Sequence, residues 1–411
     1  MKLTKEEEKI LSGAYGEAAR LAMEILTRLG AAYGASEMAT IQSAHVGAVY
    51  PHLLASVELV ERFANLGGKF TIPTTINPSH QPYNFNRWKE FPELISLQEN
   101  ATRLKNAVER LGGIPTYSCT PYFQGNLPRF GENISWMESS AICFANSALG
   151  ARTNRTTMGV DLAAAIAGRV PKFGLLLDEN RIGNVLVRME FQPKTMFDYG
   201  TCGYLVGKLC SGKIPVIENM PRHTTLNHLK RFGATAASEG GIALYHAVGI
   251  TPEARTAREA FRGGKPEFEI KIGEEEVRKA VKEIDELSTF KDKQIDAVVM
   301  GCPHPTVDEI KEIAQCLQGR KLRGNVKFCV FASSNVVNWS RQMGYVDIIE
   351  AAGADILEGD CILFCPTKEW GWKRVMTNSA KYAIILPSDP TWLDVWYADT
   401  KECVEVATTL E

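Results

Sequence analysis

No apolar run in this 411-residue chain approaches the length needed to cross a bilayer, which takes roughly 20 residues in a helix. Charge of one sign is not in excess either: 46 Lys and Arg stand against 48 Asp and Glu, for a formal net charge of -2. That balance excludes a basic field for nucleic acid and an electrostatic membrane surface. Internal repeats and low-complexity segments are absent, and the ten cysteines include no CxxC pair. Scattered cysteines in a large chain with no secretory leader read as reduced thiols rather than as a disulfide framework. The N-terminus opens with a capping signature, Thr4 followed by Glu7, and continues with apolar residues at helical spacing to Gly30. This predicts one helix, neither signal nor transit peptide, and a cytoplasmic protein. With 45% hydrophobic and 23% charged residues, the composition is that of a globular protein, and small-molecule chemistry is the default.

Helical and strand-like segments alternate with glycine and proline at the joints, the pattern of an α/β protein with largely parallel sheets. The clearest strands are "KFTIPTT", "IPVIENM", "DAVVMGC", "VKFCVFASS" and "ADILEGDC", with the helical "TVDEIKEIAQCLQG" between the third and fourth. The last 120 or so residues therefore predict a doubly wound subdomain. A chain of this size exceeds one hydrophobic core. The expected division is 1–289, itself two interleaved subdomains, and 290–411. The charged stretch before the boundary, "RGGKPEFEIKIGEEEVRKAVKEIDELSTFKDKQ", reads as a solvated helix and hairpin.

Sites in open α/β sheets form where loops leave the carboxyl ends of strands. Cys302 in "GCPHPT", Cys361 in "GDCILF" and Cys119 at the end of "IPTYSC" occupy such places. Three thiolates converging from distant loops suit a soft metal or an iron-sulfur cluster, and a cluster with three protein sulfurs keeps one iron open as a Lewis acid. Cys143, Cys316 and Cys329 lie in apolar patterns and read as small buried hydrophobes. Cys365 is an alternative to Cys361. His304 reads as a ligand, a base or a structural hydrogen bond. Glu138, flanked by Met137 and Ser139, reads equally as a carboxyl with a raised pKa for acid-base work and as a helix cap. "GKLCSGKI" has phosphate-loop spacing, but Ile214 stands where Ser or Thr would hold magnesium, and a strand rather than a helix follows. A nucleotide-hydrolysing function is excluded on that ground.

Taken together, "AHVGAVYP", "IPTTINP", "YSCTPY", "WMESSAICFANSALGARTNR", "FGATAASEGGIALYHAVGITPEA", "GCPHPT", "EGDCILF" and "TNSAKYA" resemble the large subunit of aconitase X, a branch of the aconitase superfamily, over almost the whole chain. The resemblance implies an aconitase-like multi-subdomain α/β/α architecture around a central cleft, lacking the swivel domain. It implies an iron-sulfur-dependent hydro-lyase that dehydrates a small hydroxy acid, mevalonate 5-phosphate or cis-3-hydroxy-L-proline among known members. By similarity, Cys119, Cys302 and Cys361 would ligate the cluster, 4Fe-4S or a 3Fe-4S or 2Fe-2S form, and Cys365 would be a bystander. Catalytic positions carry over to Glu138, Ser139 and Lys381. Substrate contacts carry over to the same three and to Ala48, Val49, Tyr50, Asn77 and Pro78.

The proton-abstracting serine of the superfamily sits on a small swivelling domain. This sequence ends at Glu411 after "ECVEVATTLE", with no room for such a domain, so a separate small subunit and a heterodimer are expected. Two segments depart from the family: Ala48-Val49-Tyr50, where a glycine, an apolar residue and a serine are usual, and "SHQPYNFNRW" after Asn77-Pro78. Both fall in the inferred substrate loops. A phosphorylated substrate requires a dianion pocket, to which Arg87, Arg152 and Lys381 could contribute; Arg152 reads equally as a structural salt bridge. A rival from another class is a non-catalytic protein whose cysteines hold zinc or a sensing cluster.

Overall fold

Parallel pairing dominates the sheets, as apolar strands joined by amphipathic helices require. The computed structural model describes residues 1–47, 53–79, 95–290, 294–388 and 391–410. Near the N-terminus a three-stranded parallel sheet runs in the order Thr74–Ile76, Ala44–Val46, Ser135–Trp136. The helices Glu17–Ala32, Leu54–Asn65, Ile95–Leu111 and Met158–Ala167 bury Met23, Leu26, Val60, Phe63, Leu104, Val108 and Leu162 in one core with it. A four-stranded parallel sheet follows, in the order His246–Ala247, Pro215–Glu218, Val185–Met189, Phe268–Ile272.

Two helices beside that sheet, Met196–Leu209 and Leu226–Gly240, touch backbone to backbone. A Cβ at Gly240 would stand 1.9 Å from the Gly207 carbonyl oxygen, and one at Gly203 would stand 2.3 Å from that of Phe232. Glycine is what lets the second helix sit this close.

The C-terminal sheet has five parallel strands in the order Asp355–Glu358, Lys327–Ala332, Ala297–Met300, Arg374–Thr377, Asp394–Tyr397. Val298, Met300, Phe328 and Val330 face a core with Ile310, Ile313, Val337 and Val404. Alternate residues Val299, Cys329 and Phe331 face the central core with Tyr199, Phe232 and Tyr245. Side chains thus alternate between two covered faces, which explains why these strands read as continuous apolar runs. Chain order reverses between Ala297–Met300 and Arg374–Thr377, the place where open α/β sheets bind ligands.

The predicted α/β class with largely parallel sheets is observed, but local expectations need correction. The N-terminal helix is two: Lys5–Leu11, with the Thr4 and Glu7 capping box, and Glu17–Ala32, separated by Gly13 and Gly16 at φ of 88° and 93°. Gly30 does not stop the second. The charged stretch holds the expected helix, Glu274–Glu286, but no hairpin among its described residues: Phe268–Ile272 is an edge strand parallel to Val185–Met189. Residues 114–118 follow Thr74–Ile76 through an isolated bridge at Ile114 and a Ser118 N–H bond to the Ile76 carbonyl. They form no regular strand, because Tyr117 adopts a φ of 38°, a costly conformation for an aromatic residue. "GKLCSGKI" runs from a helix end into Pro215–Glu218, consistent with its rejection as a phosphate loop. Among the described residues no helix is long and apolar enough to cross a membrane.

Candidate active site

Strand ends from two sheets bring the chemistry-bearing residues together. Cys302 follows Ala297–Met300, and Gly301 between them has a φ of 108°. A Cβ there would stand 2.0 Å from the Phe331 carbonyl oxygen, so the exit from the strand demands glycine. Cys361 follows Asp355–Glu358, and Lys381 lies just beyond Arg374–Thr377. From the N-terminal sheet, Asn77 and Pro78 follow Thr74–Ile76, and Glu138 follows Ser135–Trp136.

The segments are tied by hydrogen bonds. Ser79 N–H donates to the Gly359 carbonyl (3.1 Å), joining the Asn77-Pro78 end to the Cys361 loop. His304 N–H donates to Cys119 Sγ (3.2 Å), and His304 Nε2 bonds the Asp360 carbonyl (2.9 Å). Ser379 Oγ donates to the Cys302 carbonyl (2.6 Å) and accepts from Tyr382 N–H (3.3 Å), capping the short helix Ala380–Ile385 that carries Lys381. The Tyr382 hydroxyl lies 3.9 Å from Cys361 Sγ.

All three thiols are pushed up to about 12. Burial is the main cause for each; Cys302 raises Cys119, Cys361 raises Cys302, and Cys119 raises Cys361 through their charges. The three sulfurs therefore share one low-dielectric neighbourhood, in which thiolates need a cation. Three soft donors without a disulfide between them suit an iron-sulfur group. Among the described residues no three His, Cys, Asp or Glu side chains converge on a single-ion site. Cys365 is buried with its sulfur directed at the Cys361 carbonyl (3.6 Å).

Glu138 caps the helix Ser139–Phe144, accepting from Ala141 N–H (2.7 Å). Lys381 Nζ donates to Glu138 Oε1 (2.7 Å) and to Ser140 Oγ (2.7 Å), with Ser139 Oγ at 3.4 Å. Burial alone would raise the Glu138 carboxyl; attraction to Lys381 and these hydrogen bonds overcome it and hold the pKa below its ordinary value. Of the two readings of Glu138, the helix cap is observed and the raised pKa is corrected: it is an ionised cap and counter-ion. Burial works against the Lys381 charge too, but Glu138 and the nearby thiols outweigh it and leave the pKa raised.

His45, fully buried and depressed to about 4 by desolvation, is neutral. Its Nε2 donates to Asn77 Oδ1 (3.1 Å), so Nδ1 accepts from the Thr75 hydroxyl (2.9 Å), which in turn accepts from Asn126 Nδ2 (2.9 Å). This chain fixes the amide of Asn77.

Ala48, Val49, Tyr50 and Arg87 lie outside the described residues. Arg152 is not at the site: it pairs with Asp178 and bonds the Leu176 carbonyl (3.3 Å), the structural alternative. It lines a separate cavity of about 1010 Å³, where Arg181 pairs with Glu253 and Arg255 with Glu259. That cavity shares no lining residue with the cysteine site, and its carboxylates are committed to its arginines.

Sequence reading missed Ser140, Tyr382, Ser379, Lys230 and Arg231. The first three sit within two residues of Glu138, Lys381 or both ends of "NSAKY", a proximity that could have flagged them. Lys230 and Arg231, in "HLKRFG", look like ordinary helix-surface charges, yet both are buried: Lys230 Nζ donates to the His304 carbonyl (3.1 Å) and Arg231 Nη1 to that of Cys302 (2.9 Å).

Family models described as the aconitase X first, second and third domains match residues 1–179, 183–282 and 295–409. The phosphomevalonate dehydratase large subunit of Methanocaldococcus jannaschii is 39% identical, over 94% of this chain and 96% of that one. Its namesake from Thermococcus kodakarensis is also 39% identical, over 94% and 95%. The cis-3-hydroxy-L-proline dehydratase of Pseudomonas aeruginosa is 36% identical, over 98% of this chain and 69% of that protein. The crystal structure of Thermococcus kodakaraensis aconitase X in its holo-form aligns with a TM-score of 0.87 at 37% identity, covering 99% of this chain and all of that one.

Proposed function

Because the chain belongs to the aconitase X family of hydro-lyases, we propose that it is the large subunit of a phosphomevalonate dehydratase, removing water from mevalonate 5-phosphate with an iron-sulfur cluster on Cys119, Cys302 and Cys361. The observation that carries the substrate is the 39% identity to two phosphomevalonate dehydratase large subunits, against 36% to the protein named for hydroxyproline. A partner follows from the same match: those relatives are named large subunits, and a small subunit completes the enzyme as a heterodimer in the cytoplasm.

When bound, the cluster supplies an open iron that acts as a Lewis acid toward the leaving hydroxyl. The chain's own residues then bind and orient. Lys381 offers its ammonium to the substrate carboxylate, and Glu138 and Ser140 hold that ammonium in one position. Asn77, fixed through His45, and Pro78 line the approach, with Ser139 beside Lys381. Glu138, held below its ordinary pKa, is a poor general base at neutral pH, so abstraction of the proton falls to the small subunit. Ala48, Val49 and Tyr50 complete the substrate loops by similarity.

The test is anaerobic reconstitution with the small subunit, following the absorbance of the new conjugated double bond. Mevalonate 5-phosphate should be dehydrated and cis-3-hydroxy-L-proline left unchanged. Turnover of the second and not the first would overturn the substrate assignment.

A further inference from the structure

The three cysteine segments meet at one residue outside the ligand set. His304 stands two positions after Cys302, gives its backbone N–H to Cys119 Sγ (3.2 Å), and through Nε2 holds the carbonyl of Asp360 (2.9 Å), the residue before Cys361. Since a carbonyl only accepts, the ring proton is on Nε2. Nδ1 is a buried acceptor without a partner among the described residues.

The loop bearing His304 is held from beneath. Lys230 Nζ donates to the His304 carbonyl (3.1 Å); Arg231 Nη1 (2.9 Å) and Ser379 Oγ (2.6 Å) both donate to the Cys302 carbonyl. Glu309 pairs with Lys230 and Arg231 and accepts from Thr306 N–H (2.9 Å), closing the base of the loop. Lys230, Arg231, His304 and Glu309 are 1%, 3%, 1% and 6% exposed. Taking such charges out of water costs several kcal/mol per ion, and well-packed apolar residues often serve stability equally well. Their use here is geometric: Lys230, Arg231 and Ser379 each place one donor on a carbonyl of the Cys302–His304 turn.

We propose that His304 is a positioning residue for the iron-sulfur group, setting the separation of the Cys119, Cys302 and Cys361 segments and donating through its backbone to the Cys119 sulfur. The proposal rests on those cysteines being the ligands. Two consequences follow. Ligands held at fixed separation bind tighter, and a hydrogen bond to a ligating sulfur shifts the reduction potential of the cluster.

The test uses the full chain reconstituted anaerobically with ferrous iron and sulfide, in the parent and in His304→Gln, His304→Asn and His304→Leu. Gln can keep an amide donor near the Nε2 position; Asn is too short to reach the Asp360 carbonyl, and Leu has no donor. The rate at which a chelator bleaches the visible absorbance should rise roughly 10- to 100-fold in the Asn and Leu variants, with a shifted reduction potential. Gln should stay close to the parent in both. Asn is chosen in case Leu fails to fold. Parent-like bleaching and potential in Asn would overturn the proposal, as would equal losses in Gln and Asn. A parent chain that takes up neither iron nor sulfide would instead overturn the ligand assignment itself.

Discussion

Lys381 Nζ lies 2.7 Å from Glu138 Oε1, with each side chain 11% exposed. At that burial neither charge is tolerable alone, since removing one partner of a buried pair typically costs about 3–5 kcal/mol. Lys381→Met is therefore expected to lose activity and to destabilise the fold by that order, whereas the double variant Lys381→Met/Glu138→Gln should recover much of the stability and none of the activity. Denaturant unfolding of the four proteins in the cycle measures the coupling. Additive losses would show that the pair is not coupled.

Cys119 and Cys365 are both buried or nearly so, but Cys119 interacts by charge with both Cys302 and Cys361, whereas Cys365 does so with Cys361 and with Cys329 on the neighbouring strand. Cys119→Ser should lower iron and sulfide content after anaerobic reconstitution, and Cys365→Ala should leave both at the parent level. The reverse pattern would make Cys365 the ligand.

Asp161 sets a pH dependence. Burial lifts its carboxyl from 3.8 to about 7, against the opposing hydrogen bonds from Ser135 (2.5 Å) and Thr156 (2.9 Å). Between those values the folded chain keeps the proton and the unfolded chain has released it. Stability present in full below the unfolded pKa is thus lost as pH rises through the folded one, by an amount on the order of 4 kcal/mol. Asp161→Asn should flatten that slope. Unfolding free energies measured at about pH 4.5 and about pH 7.5 decide it, and an unchanged difference between the two proteins would refute the shift.

Arg152 pairs with Asp178, whose side chain is 58% exposed. Exposed or half-exposed pairs contribute about 1 kcal/mol or less. Arg152→Met should cost no more than that and leave KM for mevalonate 5-phosphate unchanged. A large rise in KM would return Arg152 to the phosphate site.

Gly240 packs against the Gly207 carbonyl, where a Cβ would stand 1.9 Å away. Gly240→Ala should destabilise by about 1–3 kcal/mol, the usual range for overpacking. Since the same helix carries Lys230 and Arg231, faster cluster loss should accompany the fall in stability. Retention of the parent Tm would show that the helix can shift freely.

The C-terminal sheet was legible because strands covered on both faces are written as apolar runs, as in "DAVVM" and "VKFCVF". Strands of two or three residues such as Ser135–Trp136 and Ala44–Val46 are too short to show a period, so the sheet that delivers Glu138 and Asn77 was not. Strand-end position singled out Cys119, Cys302 and Cys361 as candidates, and the family resemblance added Lys381, since residue types and their order survive without coordinates. What they do locally depended on contacts that no short window contains. Glu138 read equally as a carboxyl with a raised pKa and as a helix cap, and its ionised state follows from an ammonium 243 positions away. His304 meets the Cys119 sulfur across 185 positions. Sequence by itself determined the class of fold and the inventory of reactive groups, because these follow from local pattern and composition, and the family through the resemblance of its ordered motifs. Only the tertiary structure decided which charges neutralise one another and which loops share a hydrogen bond, because electrostatic and hydrogen-bond energies depend on distance in space and on the exclusion of water.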